Sequence, residues 1–306
     1  MIDPAFLSAF PFEHPEPPVS LYDYAPVFRV RDRHGDWVVK RTGLVHSGGS
    51  AIGQWLTALR SLGVNVVAPA LHFSPNPRRL DDGKEWVVYP FVSGTAYHAR
   101  DSEIRAAGEL LGQMHAADLP ETRMLATYDA PVVRSAEWVE RHLATAEEPL
   151  RLHGMNPATI RAVAVSRTAR AAPIAGLPLA GCSFDFKASN LVFGPEPVLV
   201  DPDHAARMPR VFDLAVALLL FHCDLPTAPG RLWTAAEWRG FLQGYRLHVA
   251  FTDLEVSSWE EVLNLARLDQ AIWLLGNWPE GWRDPKEGAY LANLATIDLA
   301  CFSLVA

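Results

Sequence analysis

The chain has 306 residues, 49% of them hydrophobic and 20% charged, with a net charge of −8. That is enough apolar material for a sizeable core, in two lobes rather than one, and too few charges for a disordered chain. The negative balance argues against nucleic acid as the main partner, because phosphate backbones attract basic surfaces.

The first residues, MIDPAFLSAFPFEHPEPP, lack the basic start and apolar run of a signal peptide. Residues 27–31 (VFRVR) and 36–41 (DWVVKR) are short β-rich runs joined by a turn at DRHG. Residues 50–63 space Ile52, Trp55, Leu56, Leu59 and Leu62 at helical intervals, with Gly63 as a stop. NVVAPALHF and EWVVYPFV read as two more strands around a Pro/Asn/Asp/Gly loop at 75–83. After VSGTA the character changes. Residues 101–117 open on a capping-type Asp and Ser and carry a helical stripe. Helical patterns follow near 136–148, 156–170, 212–222, 234–248, 258–275 and 288–304. Two short strands, 190–193 and 197–200, interrupt them around a GPEP turn.

The plan is α+β: a small β-rich lobe over residues 1–91, with one helix, and a larger helical lobe over 92–306. The longest apolar stretch, 214–223, is too short to span a bilayer and reads as a buried helix. Cys182, Cys223 and Cys301 are odd in number and form no CxxC pair. A disulfide framework or zinc site is therefore not expected, and a reduced, cytoplasmic setting fits. Residues 251–306 hold nine acids against three bases, six of the eight net negative charges. A solvated surface and a site for a cationic substrate both account for that.

One stretch concentrates chemistry. SFDFKASN (183–190) leads into the predicted hairpin, and Asp201 ends its second strand. The hairpin would return Asp201 alongside Asp185, Lys187 and Asn190. Carboxylate and amide oxygens suit Mg²⁺, an ammonium suits a phosphate, and a second carboxylate can take a hydroxyl proton. That is equipment for phosphoryl transfer, where positioning and charge neutralisation supply most of the catalysis.

SFDFKASN, VLVDPD and RVFDLA together resemble the catalytic region of the aminoglycoside phosphotransferase and choline kinase family, which has a bilobal protein-kinase-like fold. The resemblance makes Asp185 the catalytic base and Asn190 and Asp201 the metal ligands. Asp213 would support the catalytic loop from a buried helix. It also implies ATP and Mg²⁺ as cofactors, Lys40 as the lysine that reaches the phosphates, and backbone groups near Val88, Tyr89 and Phe91 as the adenine contact. His115 reads as a packed structural histidine. The resemblance covers roughly residues 25–225.

Four departures stand out. Ser183 and Phe184 replace the usual His and Gly beside the base. Lys187 occupies the place of a His and matches instead the lysine two places after the base in protein kinases. SLYDYAPVFRV has no glycine to cradle phosphates, so side chains such as Tyr24, or a different backbone geometry, would have to substitute. Helix 50–63 has no Glu to pair with Lys40, and Gln54 lies nearest that place.

The expected activity is transfer of a phosphoryl group from ATP to a hydroxyl of a small, amine-bearing molecule. The acidic, Trp-rich C-terminal segment, with Trp278 and Trp282 the most exposed, would shape the acceptor pocket. Two alternatives stay open. One is a kinase-like nucleotide binder without transfer, motivated by the departures. The other is a protein Ser/Thr kinase, motivated by Lys187.

Overall fold

The computed structural model describes residues 5–21, 26–43, 45–81, 83–128, 176–223, 228–276 and 297–305, with isolated positions between 137 and 158 and between 290 and 294. The expected hairpin forms from β2 (Val27–Asp32) and β3 (Gly35–Thr42). Alternate residues Phe28, Val30 and Asp32 of β2 face inward, as the period of a half-buried strand requires. The Asp32 carboxylate closes the turn, accepting from His34 N (2.9 Å), Gly35 N (3.1 Å) and Trp37 Nε1 (2.9 Å). β5 (Glu85–Pro90) pairs with β3 in the register Val39 opposite Val88. Short strands β1 (Val19–Ser20) and β4 (Arg78–Arg79) complete an antiparallel sheet in the order β1-β2-β3-β5-β4.

Helix α1 (Ala5–Ala9), which the sequence did not announce, lays Phe6 on Phe28 and Trp86 with ring centroids 4.9 and 5.2 Å apart. Phe10 and Phe12 pack against Phe73. The phenylalanines of the opening residues are thus the cover of one sheet face. Helix α2 (Gly49–Ser61) buries Ile52, Trp55, Leu56 and Leu59, as their spacing predicts, and Gly63 follows in the left-handed region at φ 84°. NVVAPALHF, expected as a strand, forms no ladder. Val66 makes one parallel bridge to Leu199, Pro69 has no N–H to give a sheet, and Leu71–Phe73 turns as a 3₁₀ helix.

Among the described residues after the sheet, helices are the main elements. In α3 (Asp101–Ala116) the cap differs from expectation: Asp101 and Ser102 lie inside the first turn, and Glu103 accepts from Arg100 N at 3.2 Å. Helix α4 (Arg210–Leu220) is almost wholly buried. Helix α5 (Ala235–Tyr245) opens on a reciprocal cap between Thr234 and Glu237, and α6 (Asp253–Gly276) follows. Helices α3 and α5 meet along a glycine seam. A Cβ at Gly108, Gly112 or Gly244 would strike the facing backbone, so only glycine permits the approach. Strands β7 (Leu191–Val192) and β8 (Val198–Leu199) form the expected hairpin. Strands β6 (Leu179–Cys182) and β9 (Ala206–Pro209), not anticipated, pair beside it.

Most of the helical patterns at 136–148, 156–170 and 288–304 lie outside the described residues; 299–301 form a 3₁₀ turn. No helix among the described residues is long and apolar enough to cross a membrane.

Candidate active site

The loop between β6 and β7 carries the key side chains, and its first turn is set from below. Phe184 sits in the left-handed region at φ 58°, where a side chain other than glycine is strained. Its N–H donates to Asp213 Oδ1 of α4 at 2.9 Å. Asp213 Oδ2 meets His115 Nε2 at 2.9 Å, and His115 Nδ1 meets Tyr245 OH at 2.9 Å. All three residues are buried. The glycine seam brings α3 and α5 close enough for His115 and Tyr245 to touch. Burial pushes the Tyr245 phenol well above its ordinary range. So Asp213 holds the loop backbone, and His115 is the packed structural histidine expected.

Asp185 follows Phe184. Its Oδ2 receives Asn190 Nδ2 at 2.9 Å and Lys187 Nζ at 3.2 Å, with His204 Nδ1 at 3.9 Å. Asn190 Nδ2 also donates to the Asp185 carbonyl at 2.8 Å. Both amide hydrogens of Asn190 are therefore committed, and its carbonyl oxygen is the group left to face a cation. The Asn190 backbone carbonyl accepts from Val200 N at 2.9 Å. The hairpin thus sets Asn190 against the end of β8, and Asp201 comes next.

Asp201 is also where the sheet meets the loop. Lys40 Nζ of β3 stands 2.6 Å from Asp201 Oδ1 and 3.0 Å from Asp203 Oδ2. Burial works against the Lys40 charge, but the two aspartates outweigh it and raise Lys40 above its ordinary value. Burial likewise opposes the Asp201 charge, and Lys40 outweighs it, holding that carboxyl below the usual range. At Asp203 burial wins: Lys40 pulls the carboxyl down, the Asp201 charge adds to the rise, and the net shift is upward.

Lys40, Asp185, Lys187, Asn190 and Asp201 are therefore gathered in one place, with Asp213 beneath them. Gln54 is not among them. It is exposed on α2 and its Nε2 reaches Ser50 Oγ at 3.3 Å, while the partners of Lys40 are aspartates. The expected adenine contacts also change. Val88 N–H donates to Asn76 Oδ1 at 2.9 Å, and its carbonyl accepts from Asn76 Nδ2 at 2.7 Å and Ala70 N at 2.9 Å. Phe91 N donates to Asp36 O at 2.9 Å. Tyr89 is buried with its phenol beside Thr42. Both backbone groups of Val88 and the N–H of Phe91 are thus already bonded to Asn76, Ala70 and Asp36.

A wall that the motif did not announce stands beside Asp185. The Phe184 ring lies 4.7 Å from Tyr128, 5.2 Å from His46 and 6.1 Å from Phe212. Tyr128 OH donates to Asp269 Oδ1 of α6 at 3.1 Å. Burial, then His204, lowers the His46 pKa. Asp203, Thr42 and His204 were also missed. Strand alternation could have found Thr42, two places after Lys40 on the same face, and the DPD spacing could have found Asp203. Trp233, Trp238 and Trp259 are core residues, and Trp273 is exposed. Tyr24, Trp278 and Trp282 lie outside the described residues.

A β-rich region with a lysine on its third strand, followed by a helical region with this Asp–Asn–Asp loop, defines a protein-kinase-like phosphotransferase. A family model described as "Phosphotransferase enzyme family" matches residues 23–251. The chain belongs to that family, and so to the small-molecule phosphotransferases. Among solved structures, an amicoumacin kinase in complex with AMP-PNP, Ca²⁺ and Ami has a TM-score of 0.64 at 16% identity, over 95% of this chain and 90% of that one. A microcompartment-associated aminopropanol kinase has 0.62 at 14%, over 95% and 94%. The choline kinase LicA from Streptococcus pneumoniae has 0.59 at 16%, over 93% and 95%. At such identities these likenesses speak to the fold. No curated protein sequence matches the chain.

Proposed function

We propose that the chain moves the γ-phosphoryl group of ATP to a hydroxyl of a small molecule that also carries an amine. The observation that carries this reading is the state of Asp185. The contacts from Asn190, Lys187 and His204 gather on Oδ2. Oδ1 is then the oxygen placed to align a hydroxyl and take its proton. The hydroxyl oxygen bonds to the γ-phosphorus, the bond from phosphorus to the ADP oxygen breaks, and the proton passes to Asp185. Lys40 and Lys187 would hold the charge of the transferred group.

The Asn190 carbonyl oxygen and the Asp201 carboxylate, 41% exposed, are hard oxygen donors that fit Mg²⁺. When bound, the cation supplies charge neutralisation on the phosphates. The acceptor class rests on the aromatic wall of Phe184, Tyr128 and His46 with Asp269 behind it, since aromatic faces and carboxylates suit cations. Choline and aminopropanol, named for two of the solved neighbours, join a hydroxyl to a cationic nitrogen. The protein-kinase reading loses ground because only residues 202–212 separate Asp201 from Asp213, and four of them form β9.

Thermal unfolding with ATP plus Mg²⁺, against ATP plus chelator, tests nucleotide binding. A screen of amino alcohols and aminoglycosides for ADP release then tests transfer. Saturating nucleotide at ~100 times its Kd should stabilise the fold by about 2.7 kcal/mol. Absence of any nucleotide effect would sink the phosphotransfer reading. Binding without ADP release from any acceptor would favour the nucleotide binder without transfer.

A further inference from the structure

Helix α2 has no acidic residue, so no carboxylate on it can orient Lys40. The structure supplies two elsewhere, and they differ in what else they touch. Asp203 Oδ2 meets Lys40 Nζ at 3.0 Å, and Asp203 Oδ1 accepts from Thr42 Oγ1 at 3.0 Å. Lys40 and Thr42 stand two apart on β3 and so share a face. Asp203 therefore grips β3 at two points, and its side chain is 12% exposed. Asp201 is 41% exposed, and among the described residues its hydrogen bond runs to Lys40. A carboxylate held at both oxygens keeps its geometry; one held at a single oxygen in a partly open cleft can exchange partners.

We propose that Asp203 is the positioning residue for Lys40, in place of a helix carboxylate, and that it keeps the ammonium aimed at the phosphates while Asp201 turns to a cation. The proposal rests on the phosphotransfer reading above. A lysine side chain is long and rotamer-rich, so its phosphate contact depends on what fixes its tip. Asp203 acts through Lys40 and does not touch the nucleotide.

The test is a double-mutant cycle on MgATP binding, read by calorimetry. Asp203→Asn keeps the shape and still offers an oxygen to Thr42. It should weaken MgATP about tenfold, the scale of a hydrogen bond to a charged group. In a Lys40→Met background the same change should cost about twofold or less, since the group it positions is gone. Thr42→Val, which removes the second grip, should weaken binding about threefold in the wild type and show the same dependence on Lys40. Equal losses with and without Lys40 would overturn the proposal, because Asp203 would then act on the nucleotide, its cation or the fold directly. Undiminished affinity in both single variants would overturn it as well. A wild type that binds no nucleotide removes the phosphotransfer reading itself and this proposal with it. Additive losses in a protein that binds normally remove only the role of Asp203.

Discussion

The two sides of the site hold their charges in opposite ways. Beneath Asp185, the proposed base, Asp213, His115 and Tyr245 form a dry chain of hydrogen bonds, with the His115 and Asp213 side chains wholly buried and every link at 2.9 Å. The glycine seam between α3 and α5 locks it. On the sheet side, Lys40 divides its charge between two aspartates, one of them 41% exposed. Low-dielectric surroundings make a satisfied network rigid and an interrupted one costly. Here only Asp201 is open to solvent, so its contact can be exchanged while Asp203 keeps the buried ammonium paired. The helical side thus fixes the turn that carries Asp185, and on the proposed reading that fixes where a hydroxyl would be aimed. The sheet side can exchange a protein contact for a ligand.

The sharpest break in that comparison is at the base. Asp185→Asn should lower turnover by roughly 10²–10⁴-fold and leave MgATP affinity near wild type, as single-turnover assays and calorimetry would show. A variant with full turnover would remove Asp185 from the mechanism. Next is the support. Asp213→Ala strips a buried carboxylate from two donors, Phe184 N and His115, and should destabilise the fold by about 3 kcal/mol. Urea unfolding measures this. A cost below about 1 kcal/mol would mean that the chain beneath the base is not the rigid element described here.

The helical side also has a weak point, at the far end of α4. His222 is buried, its Nε2 meets Tyr97 OH at 2.6 Å, its ring stacks on Trp233 at 3.9 Å, and its Nδ1 has no hydrogen-bond partner among the described residues. Burial lowers its pKa from 6.5 to about 4; Glu237 pulls the other way without prevailing. In this window the unfolded chain binds a proton that the folded one refuses. Stability is therefore whole above the ordinary value and falls as pH drops from about 6.5 towards 4. His222→Gln should flatten that part of the stability–pH curve. An unchanged slope would assign the acid sensitivity to other groups.

What the sequence disclosed follows the same divide. The placement of the motif residues was legible, because short spacings around a hairpin bring Asp185, Lys187, Asn190 and Asp201 to one loop and the adjoining strand end. So were α2 and α3, whose apolar stripes carry a helical period, and α4, whose unbroken apolar run reads as a buried helix. Two contacts made across the fold were not. Gln54 looked suitable for Lys40 by position along α2, but the helix turns it outward, and the carboxylates that meet Lys40, Asp201 and Asp203, lie 161 and 163 residues from it. The Val88 groups looked open because a strand sequence does not say that a side chain such as Asn76 will bond them. The β6–β9 pair was hidden because LAGC and ARMP have neither alternation nor length.

The smallest expected effect tests whether Phe184 belongs to the rigid side or merely sits on it. Its backbone is left-handed, which costs a non-glycine residue about 1–2 kcal/mol. Its ring repays part of that against Tyr128, His46 and Phe212. Phe184→Ala loses the ring and keeps the strain, whereas Phe184→Gly loses the ring and relieves it. Glycine should therefore be the more stable of the two variants by about 1 kcal/mol, the reverse of the usual order in regular structure. Chemical denaturation of the two variants side by side resolves a difference of that size. If alanine were the more stable, the turn must relax out of the left-handed region once the ring is gone. The hydrogen bond from this N–H to Asp213 would then be weaker than its 2.9 Å length suggests. If glycine wins, Asp213 is holding the turn against its own strain, and the aim of Asp185 is set by α4 rather than by the loop.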